Sequence, residues 1–250
     1  MQKIDLSNCG CSDSSCSEAP KGPVPLSGLP MAQAAPDDEP CCGPPAGPPS
    51  SPFEKPGFKL CEFVDTFLDT PVGQVPSVKN SLAFIDHLGT IRTRLGISRD
   101  QYKVAPGLYA TGKPNADSPV LVTANYKLSF DALRKELSLV DAWILVLDTR
   151  GINVWCAAGK KTFGTDEIIH QVKRVNLDKV VSHRKLILPQ LGAPGVAAHH
   201  VKKGCGFKVI WGPIRAEDLR EFLASQNKAD SQMRKLTFSI FERACLAYFR

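Results

Sequence analysis

Pro119-Val-Leu-Val-Thr-Ala124 and Ala142-Trp-Ile-Leu-Val-Leu147 are the two apolar runs that decide the fold. Both are short, and the second is apolar at every position, the signature of a parallel strand covered on both faces. Between them, Leu128 to Leu139 carries apolar residues at helical spacing (Leu128, Leu133, Leu137), with Asp131 early and Arg134 and Lys135 later. That charge order suits the helix dipole. Strand, helix, strand within 29 residues predicts a right-handed crossover between neighbouring parallel strands.

The same alternation continues downstream. Thr165 to Val175 is predicted helical, with Thr165 as a cap and Asp166 and Glu167 in the first turn. Lys185–Leu188 follows as a strand, Val196–Lys203 as a helix stopped by Gly204, Phe207–Trp211 as a strand and Arg215–Ser225 as a last helix. The order βαβαβαβα implies an α/β parallel sheet flanked by helices. Ligands of such sheets sit beyond the carboxyl ends of the strands. Thr123, Asn125 and Tyr126, the 150–160 loop, Gln190–Gly195 and Gly212-Pro213 all lie at or after strand ends and are expected to converge. Upstream, Asn80 to Arg94 has helical spacing (Leu82, Ile85, Leu88, Ile91), and Val104–Tyr109 suggests a short strand against the domain. There is no internal repeat.

Composition sets the boundaries. Twelve of the 20 prolines precede residue 60, in a segment that includes Pro40-Cys-Cys-Gly-Pro-Pro-Ala-Gly-Pro-Pro-Ser-Ser-Pro52. Little apolar surface is available there to offset the ordering entropy, so residues 1–60 are expected to be a disordered Pro/Cys-rich segment. It carries four Lys/Arg against seven Asp/Glu, whereas the whole chain is +6, which leaves +9 on residues 61–250. A basic domain suits a phosphate-bearing cofactor, an anionic lipid or nucleic acid. Nucleic acid is the least supported, since no aromatic-interleaved basic run or zinc-finger spacing occurs. The amino terminus lacks an apolar signal core, and the longest apolar run is Ala142–Leu147. With nine cysteines, an odd number, and no export signal, a reducing cytoplasmic compartment is expected. The domain itself is placed at 61–226, with a basic amphipathic tail over 227–250.

Several nucleotide and metal motifs fail on inspection. Gly159-Lys160 is not a phosphate-binding P-loop, because Val154 and Lys161 stand where Gly and Ser/Thr are needed. Gly204-Cys-Gly206 lacks the third glycine of a dinucleotide fingerprint, since Val209 occupies its place. In Asp86-His87-Leu88-Gly89 the Asp and His are adjacent, which is not the Asp-x-His-x-x-Gly pattern of His-ligated B12 modules. Cys9, Cys11, Cys16, Cys41 and Cys42 have no iron–sulfur spacing, so no cluster is expected in this chain. Capture of a thiophilic ion by this tail is the alternative use for them.

A lone cysteine near a helix start is ordinarily a small buried hydrophobe. The surroundings of Cys156 argue for more. The unbroken run Asn153-Val-Trp-Cys-Ala-Ala-Gly-Lys160 resembles in full the signature of the mercury-methylating corrinoid protein family of anaerobic microbes. Thr162-Phe-Gly-Thr-Asp-Glu167 resembles its continuation, with Lys161 where a smaller residue is expected. Gln190-Leu-Gly-Ala-Pro-Gly-Val196 and Trp211-Gly-Pro-Ile-Arg215 are similar to the corrinoid iron–sulfur protein of the acetyl-CoA pathway, a related family. Together these likenesses cover roughly residues 61–250.

The resemblance implies a Rossmann-like α/β corrinoid domain with a Cys-bearing cap helix, and a methyltransferase that passes a cobalt-bound methyl group to Hg(II), giving methylmercury. Cys156 would be the catalytic residue and the lower axial ligand to corrinoid cobalt. A thiolate donates strongly to a soft metal, and a helix amino terminus with Lys160 close by suits an anionic sulfur ligand. Donation from below would help the methyl group leave with its electron pair, which an electrophilic Hg(II) acceptor requires. Ala157, Ala158 and Gly159 would let the backbone approach the macrocycle. Trp155 would pack on the ring or on the core, Asn153 would fix the loop or bond a corrin side chain, and Val154 completes the run. Thr123, Asn125, Gln190, Gly192, Gly195 and Gly212 would hold the rest of the cofactor, including its phosphate-bearing tail.

Implied partners are a ferredoxin-like protein with two 4Fe–4S clusters as reductant and a methyltransferase supplying a folate-type methyl group. The alternatives are a methyl carrier of the acetyl-CoA pathway and a B12-binding module without turnover. Full-length members of the mercury-methylating family continue into membrane helices, on the cytoplasmic face of the inner membrane. Arg234 to Arg250 is amphipathic and basic, as expected of a lead-in to such a span or of a terminal surface helix.

Overall fold

The structure, a computed structural model, describes residues 46–51, 54–57, 62–97 and 99–235, all within one compact unit, Pro40–Arg250. The amino-terminal cysteines, the rest of the Pro-rich segment and residues 236–250 lie outside the described residues.

Seven strands form one sheet: β1 (Val64–Thr70), β2 (Gly73–Val78), β3 (Gly107–Thr111), β4 (Val120–Ala124), β5 (Ala142–Leu147), β6 (Lys185–Leu188) and β7 (Lys208–Trp211). Their spatial order is β1-β2-β3-β5-β4-β6-β7. The four strands expected to be parallel are so: β4 pairs with β5 and β6, and β6 with β7, all in parallel. The chain leaves the central β4 for β5 on one side and later places β6 on the other. The gap between the carboxyl ends of β4 and β6 is therefore the topological switch point, where open α/β sheets bind their ligands.

The other half of the sheet departs from the sequence reading. β1 and β2 form an antiparallel hairpin, β3 runs parallel to β2, and β3 pairs antiparallel with β5 through all five of its residues. Residues 104–109 were expected to lie against the domain, but the strand begins at Gly107 and is an interior member of the sheet. Alternation in β1 is weak because its Asp and Thr side chains face water on both sides of an edge strand. That is why periodicity alone does not find it.

The helices are α1 (Phe84–Arg94), α2 (Lys127–Glu136), α3 (Val154–Gly159), α4 (Thr165–Arg174), α5 (Leu177–Val180), α6 (Ala198–Cys205) and α7 (Leu219–Ala224). Of these, α3, α4, α5 and α6 share a core with one face of the sheet, built around Val122, Leu145, Phe163, Ile168 and Val201. On the other face, α2 and α7 pack Phe130, Leu137, Leu219 and Phe222 over Leu121 and Ile144.

Helix boundaries shift for identifiable reasons. α1 begins at Phe84 rather than Asn80, because the carbonyls of Lys79 and Ser81 accept from the Arg134 guanidinium. The Asn80 side chain donates to the Leu137 carbonyl, at 3.1 Å, and accepts from the Thr111 hydroxyl, at 2.6 Å. Thr165 does not cap α4. Gly164 holds that position, and the Thr165 hydroxyl instead accepts from the Ala197 N–H at the start of α6, at 2.9 Å. The last predicted helix divides into a 3-10 turn over Ala216–Asp218 and α7.

The described residues ahead of position 61, 46–51 and 54–57, already belong to the domain. Gly47 N–H donates to the Arg150 carbonyl, the Ser50 N–H and hydroxyl both donate to Asp148, and Arg174 donates to the Glu54 carbonyl. Beyond α7, Met233 is buried and its carbonyl accepts from the Ile214 N–H, so the described chain still packs on the domain at residue 233.

Candidate functional site

The site is built on the loop that leaves β5. Asn125, fully buried at the end of β4, organises it. Its side-chain carbonyl accepts from the Thr149 N–H, the Thr149 hydroxyl and the Gly151 N–H at 3.1, 2.9 and 2.9 Å, and its amide donates to Asp148 at 3.0 Å. One primary amide thus satisfies a tight loop that has no ladder partner of its own. Asp148 is fastened further by Ser50 and by the Arg150 N–H, and its own N–H donates to Glu167 of α4. Asn125→Ala is expected to remove about 1–3 kcal/mol of stability by orphaning these groups. A urea midpoint measured on the variant checks it, and a shift within error of zero contradicts the assignment.

This loop delivers Asn153 to the start of α3. The Asn153 side chain caps the helix, accepting from the Cys156 N–H at 2.9 Å. Cys156 is the third helical residue, half-buried, with its side chain against the core that contains Tyr126. Burial is the largest influence on the Tyr126 phenol and pushes its pKa up. Arg99 and Arg94 pull it down, Arg99 also through a side-chain hydrogen bond, and Cys156 adds to the rise. Tyr126, hydrogen-bonded by Arg99, therefore lies within electrostatic range of Arg94 and of Cys156, which sits on one edge of α3.

On its other edge α3 borders a cavity of about 350 Å³ over the β4–β6 switch point, lined by Thr123, Asn153, Trp155, Gly212, Pro213 and residues of α2. Trp155 is 59% exposed and overhangs this crevice rather than entering the core. The remaining expected residues serve the frame. Ala157 and Ala158 are buried against the protein. A Cβ on Gly195 would stand 2.3 Å from the Phe163 carbonyl oxygen and 2.9 Å from that of Ala158, and one on Gly192 would meet the Phe163 ring at 2.5 Å. These small residues let the 3-10 turn Gln190–Gly195 press onto α3. The Gln190 side chain accepts from Arg234, Gly159 is exposed at the end of α3, and Lys160 is its half-buried C-cap.

Of the expected set, the fold thus gathers Thr123, Asn153, Val154, Trp155 and Gly212 around the crevice, with Cys156 on the adjoining edge. Tyr126, Arg94, Arg99 and Asp148 complete the surroundings. Of these, Tyr126 was already expected from its place after a strand, and Asp148, directly after a predicted buried strand, carried the same signal. Among the described residues no three His, Cys, Asp or Glu side chains converge to hold a metal ion. No helix among them is long and apolar enough to cross a membrane.

Comparison with known proteins agrees with this architecture. Residues 85–223 match the family model described as CO dehydrogenase/acetyl-CoA synthase delta subunit. The chain is 31% identical over 130 residues to the gamma subunit of the acetyl-CoA decarbonylase/synthase complex of Methanopyrus kandleri, covering 51% of this chain and 28% of the relative. It is 33% identical over 127 residues to the corresponding gamma subunit of Methanocaldococcus jannaschii, covering 50% and 26%. To the corrinoid/iron-sulfur protein large subunit of Moorella thermoacetica it is 30% identical over 122 residues, covering 48% and 27%. The aligned region thus spans about a quarter of each of these relatives. Since the family model takes in more than half of the sequence, the chain belongs to the CO dehydrogenase/acetyl-CoA synthase delta subunit family.

Proposed function

We infer that this chain is a corrinoid-binding, methyl-transferring domain in which Cys156 is the lower axial ligand to cobalt. The observation that carries the reading is the setting of Cys156, third in a helix capped by Asn153, beside an exposed Trp155 and a crevice at the switch point. The relatives add support, one of them being named a corrinoid/iron-sulfur protein large subunit.

The residues present fit such a group. A cavity of about 350 Å³ is too small for a whole corrin ring but accommodates a tail base. The ring would then rest at the rim, against Cys156 and Trp155, with Thr123, Gly212 and Pro213 around the tail. When bound, the corrinoid supplies a cobalt centre that carries a methyl group. The chain's own part is positional. Asn153 fixes the first turn of α3, Asn125 and Asp148 hold the loop beneath it, and the Gln190–Gly195 turn braces the helix from behind. Held on these rigid elements, the Cys156 side chain would be offered to a bound group in one position.

Two acceptors are supported by different observations. The relatives favour carriage between proteins in the acetyl-CoA pathway. The unbroken Asn153–Lys160 run, with its cysteine ligand, favours Hg(II) as the acceptor and methylmercury as the product. A ferredoxin-like reductant with two 4Fe–4S clusters and a methyltransferase with a folate-type donor serve either reading.

Anaerobic titration with cobalamin and with cobinamide, followed by visible and electron paramagnetic resonance spectra, tests the binding. Saturable changes with sulfur-type axial ligation are expected, and unchanged spectra overturn the reading. The methyl-loaded protein is then offered Hg(II) or an acetyl-CoA synthase complex. Methylmercury supports the first acceptor and acetyl-CoA synthesis the second. Binding with transfer to neither leaves a B12-binding module without turnover.

A further inference from the structure

Helix α1 is turned inside out relative to an ordinary surface helix. Its buried residues are polar, Asp86 and Thr93, while Phe84, Ile85, Leu88, Ile91 and the following Leu95 are exposed, Phe84 at 82% and Leu95 at 57%. The inward side is set by Asp86, which binds Lys127 and Arg134 of α2 at 2.7 Å each. That pairing dictates the rotation of the helix and leaves its apolar stripe facing out. A contiguous face of this kind marks an interaction surface.

The face is grooved. Between α1 and the side chains of Ile97 and Tyr102 lies a cavity of about 210 Å³, lined also by Ile85, Leu88 and Arg92. Its floor depends on Gly89, where a Cβ would stand 2.4 Å from the Tyr102 hydroxyl oxygen. The rim is cationic. Residues 84–103 carry Arg92, Arg94, Arg99 and Lys103 against Asp86 and Asp100, and Asp86 points inward. The face also reaches the candidate site, since Arg94 and Arg99 are the arginines beside Tyr126, itself a neighbour of Cys156.

The geometry points to α1 and its groove as the docking site for an acidic partner protein, which inserts an apolar anchor between Leu88 and Ile97 and sets carboxylates against Arg92, Arg94 and Arg99. Three features select this occupant. A concave apolar slot fits a side-chain anchor, whereas a helix that lies in a bilayer presents a convex face. Arginine predominates over lysine at the rim, as in protein interfaces. A second copy of the chain would bring like-charged arginines together, which opposes self-association. The proposal rests on the corrinoid reading in one respect, that docking here brings the partner next to Cys156.

An acidic two-cluster ferredoxin is the probe, with affinity measured by calorimetry against the full chain and against the Arg92→Glu/Ile91→Asp variant. The expected result is binding to the unaltered chain, weakened by raised salt and by roughly tenfold or more in the variant. Cobalamin titration of the same variant should be unchanged, which shows that the fold and the site survive. Equal affinity for the two chains overturns the proposal, as does no ferredoxin binding by the unaltered chain. It is likewise overturned if the same substitutions instead abolish self-association or sedimentation with phosphatidylglycerol vesicles. Loss of cobalamin binding by the unaltered chain, with ferredoxin docking intact, would sink the corrinoid reading and leave the docking site standing.

Discussion

Cys156→Ala is expected to abolish methyl transfer while leaving the chain folded. The side chain is small and half-buried, and the Asn153 cap bonds to the backbone N–H of residue 156 rather than to its sulfur. Alanine therefore keeps the cap and the helix, and the stability change should stay within about 1 kcal/mol, the scale of a partly buried side chain cut back by one atom. What disappears is the one sulfur that α3 offers, on the edge adjoining the crevice. Among the described residues the other free cysteine, Cys205, belongs to α6, and its thiol donates to the Val201 carbonyl of its own helix. A drop in transfer rate of at least roughly a hundredfold, equivalent to about 2.7 kcal/mol of barrier, is the expected scale for losing a group that touches the reacting centre. Cys156→His offers a control, since imidazole also ligates cobalt but from a longer side chain. Altered spectra with partial activity are expected for it. Full activity of the purified alanine variant, loaded with cofactor, would remove Cys156 from the ligand role.

The strands β4, β5, β6 and β7 are compact apolar runs bounded by polar residues, so their existence and parallel order followed from pattern alone. With them came the expectation that Thr123, Asn125 and Gly212, at or after strand ends, converge; the switch point itself needed the strand order of the structure. The crevice needed no contact information beyond that. Cys156 was different, because its chain position is compatible with a small buried hydrophobe and only the surrounding run raised it above that reading.

Pattern reasoning failed where charge decided orientation. In α2 the stripe Leu128, Leu133 and Leu137 does meet the core, Leu137 completely, but the charged Lys127, Asp131 and Arg134 are buried beside it, which the apolar spacing does not announce. In α1 the apolar stripe turned outward. The ion pairs of Asp86 with Lys127 and Arg134 set the rotation of α1, and a hydrophobic period contains no information about it. The spacing Lys127, Asp131, Arg134 does place the three charges on one helical face, and that was the available signal. The glycines illustrate a second limit. Gly192 and Gly195 looked like a cradle for a ligand, and the reason for their size lies in Phe163 and Ala158, residues about 30 positions away that sequence spacing does not bring together.

The same ion network carries the largest expected effect on stability. Arg134 is fully buried and makes four polar contacts: the carbonyls of Lys79 and Ser81, Asp131 at 2.7 Å and Asp86 at 2.7 Å. Lys127 completes the set, bonded to the same two aspartates and stacked 5.0 Å from the Phe63 ring centroid. Two cations and two anions cancel, so the cluster is tolerable in the interior only while it is whole. Arg134→Ala leaves two buried carboxylates with one ammonium and frees two carbonyls. A loss of about 3–5 kcal/mol is expected, a large share of the 5–15 kcal/mol that holds a typical domain together. Removing a matched pair should cost less. Arg134→Met with Asp86→Leu leaves the neutral Lys127–Asp131 pair, and roughly half of the lost stability should return; the freed carbonyls and the Ala83 N–H, which donates to Asp86 at 2.9 Å, prevent full recovery. Acid provides an independent check. Burial pushes the Asp86 carboxyl up, but the Lys127 hydrogen bond, the Ala83 N–H and the charges of Lys127 and Arg134 outweigh it and hold the group below its usual 3.8. A carboxyl depressed on folding adds stability that is present above its unfolded value and is lost as pH falls through the folded one. Urea midpoints should therefore hold steady down to about pH 4 as far as this group is concerned, and then decline. In the Arg134→Met/Asp86→Leu variant that part of the decline should vanish. An unchanged acid limb in the double variant, or a loss under about 1 kcal/mol in Arg134→Ala, would mean that the cluster does not hold α1 against α2.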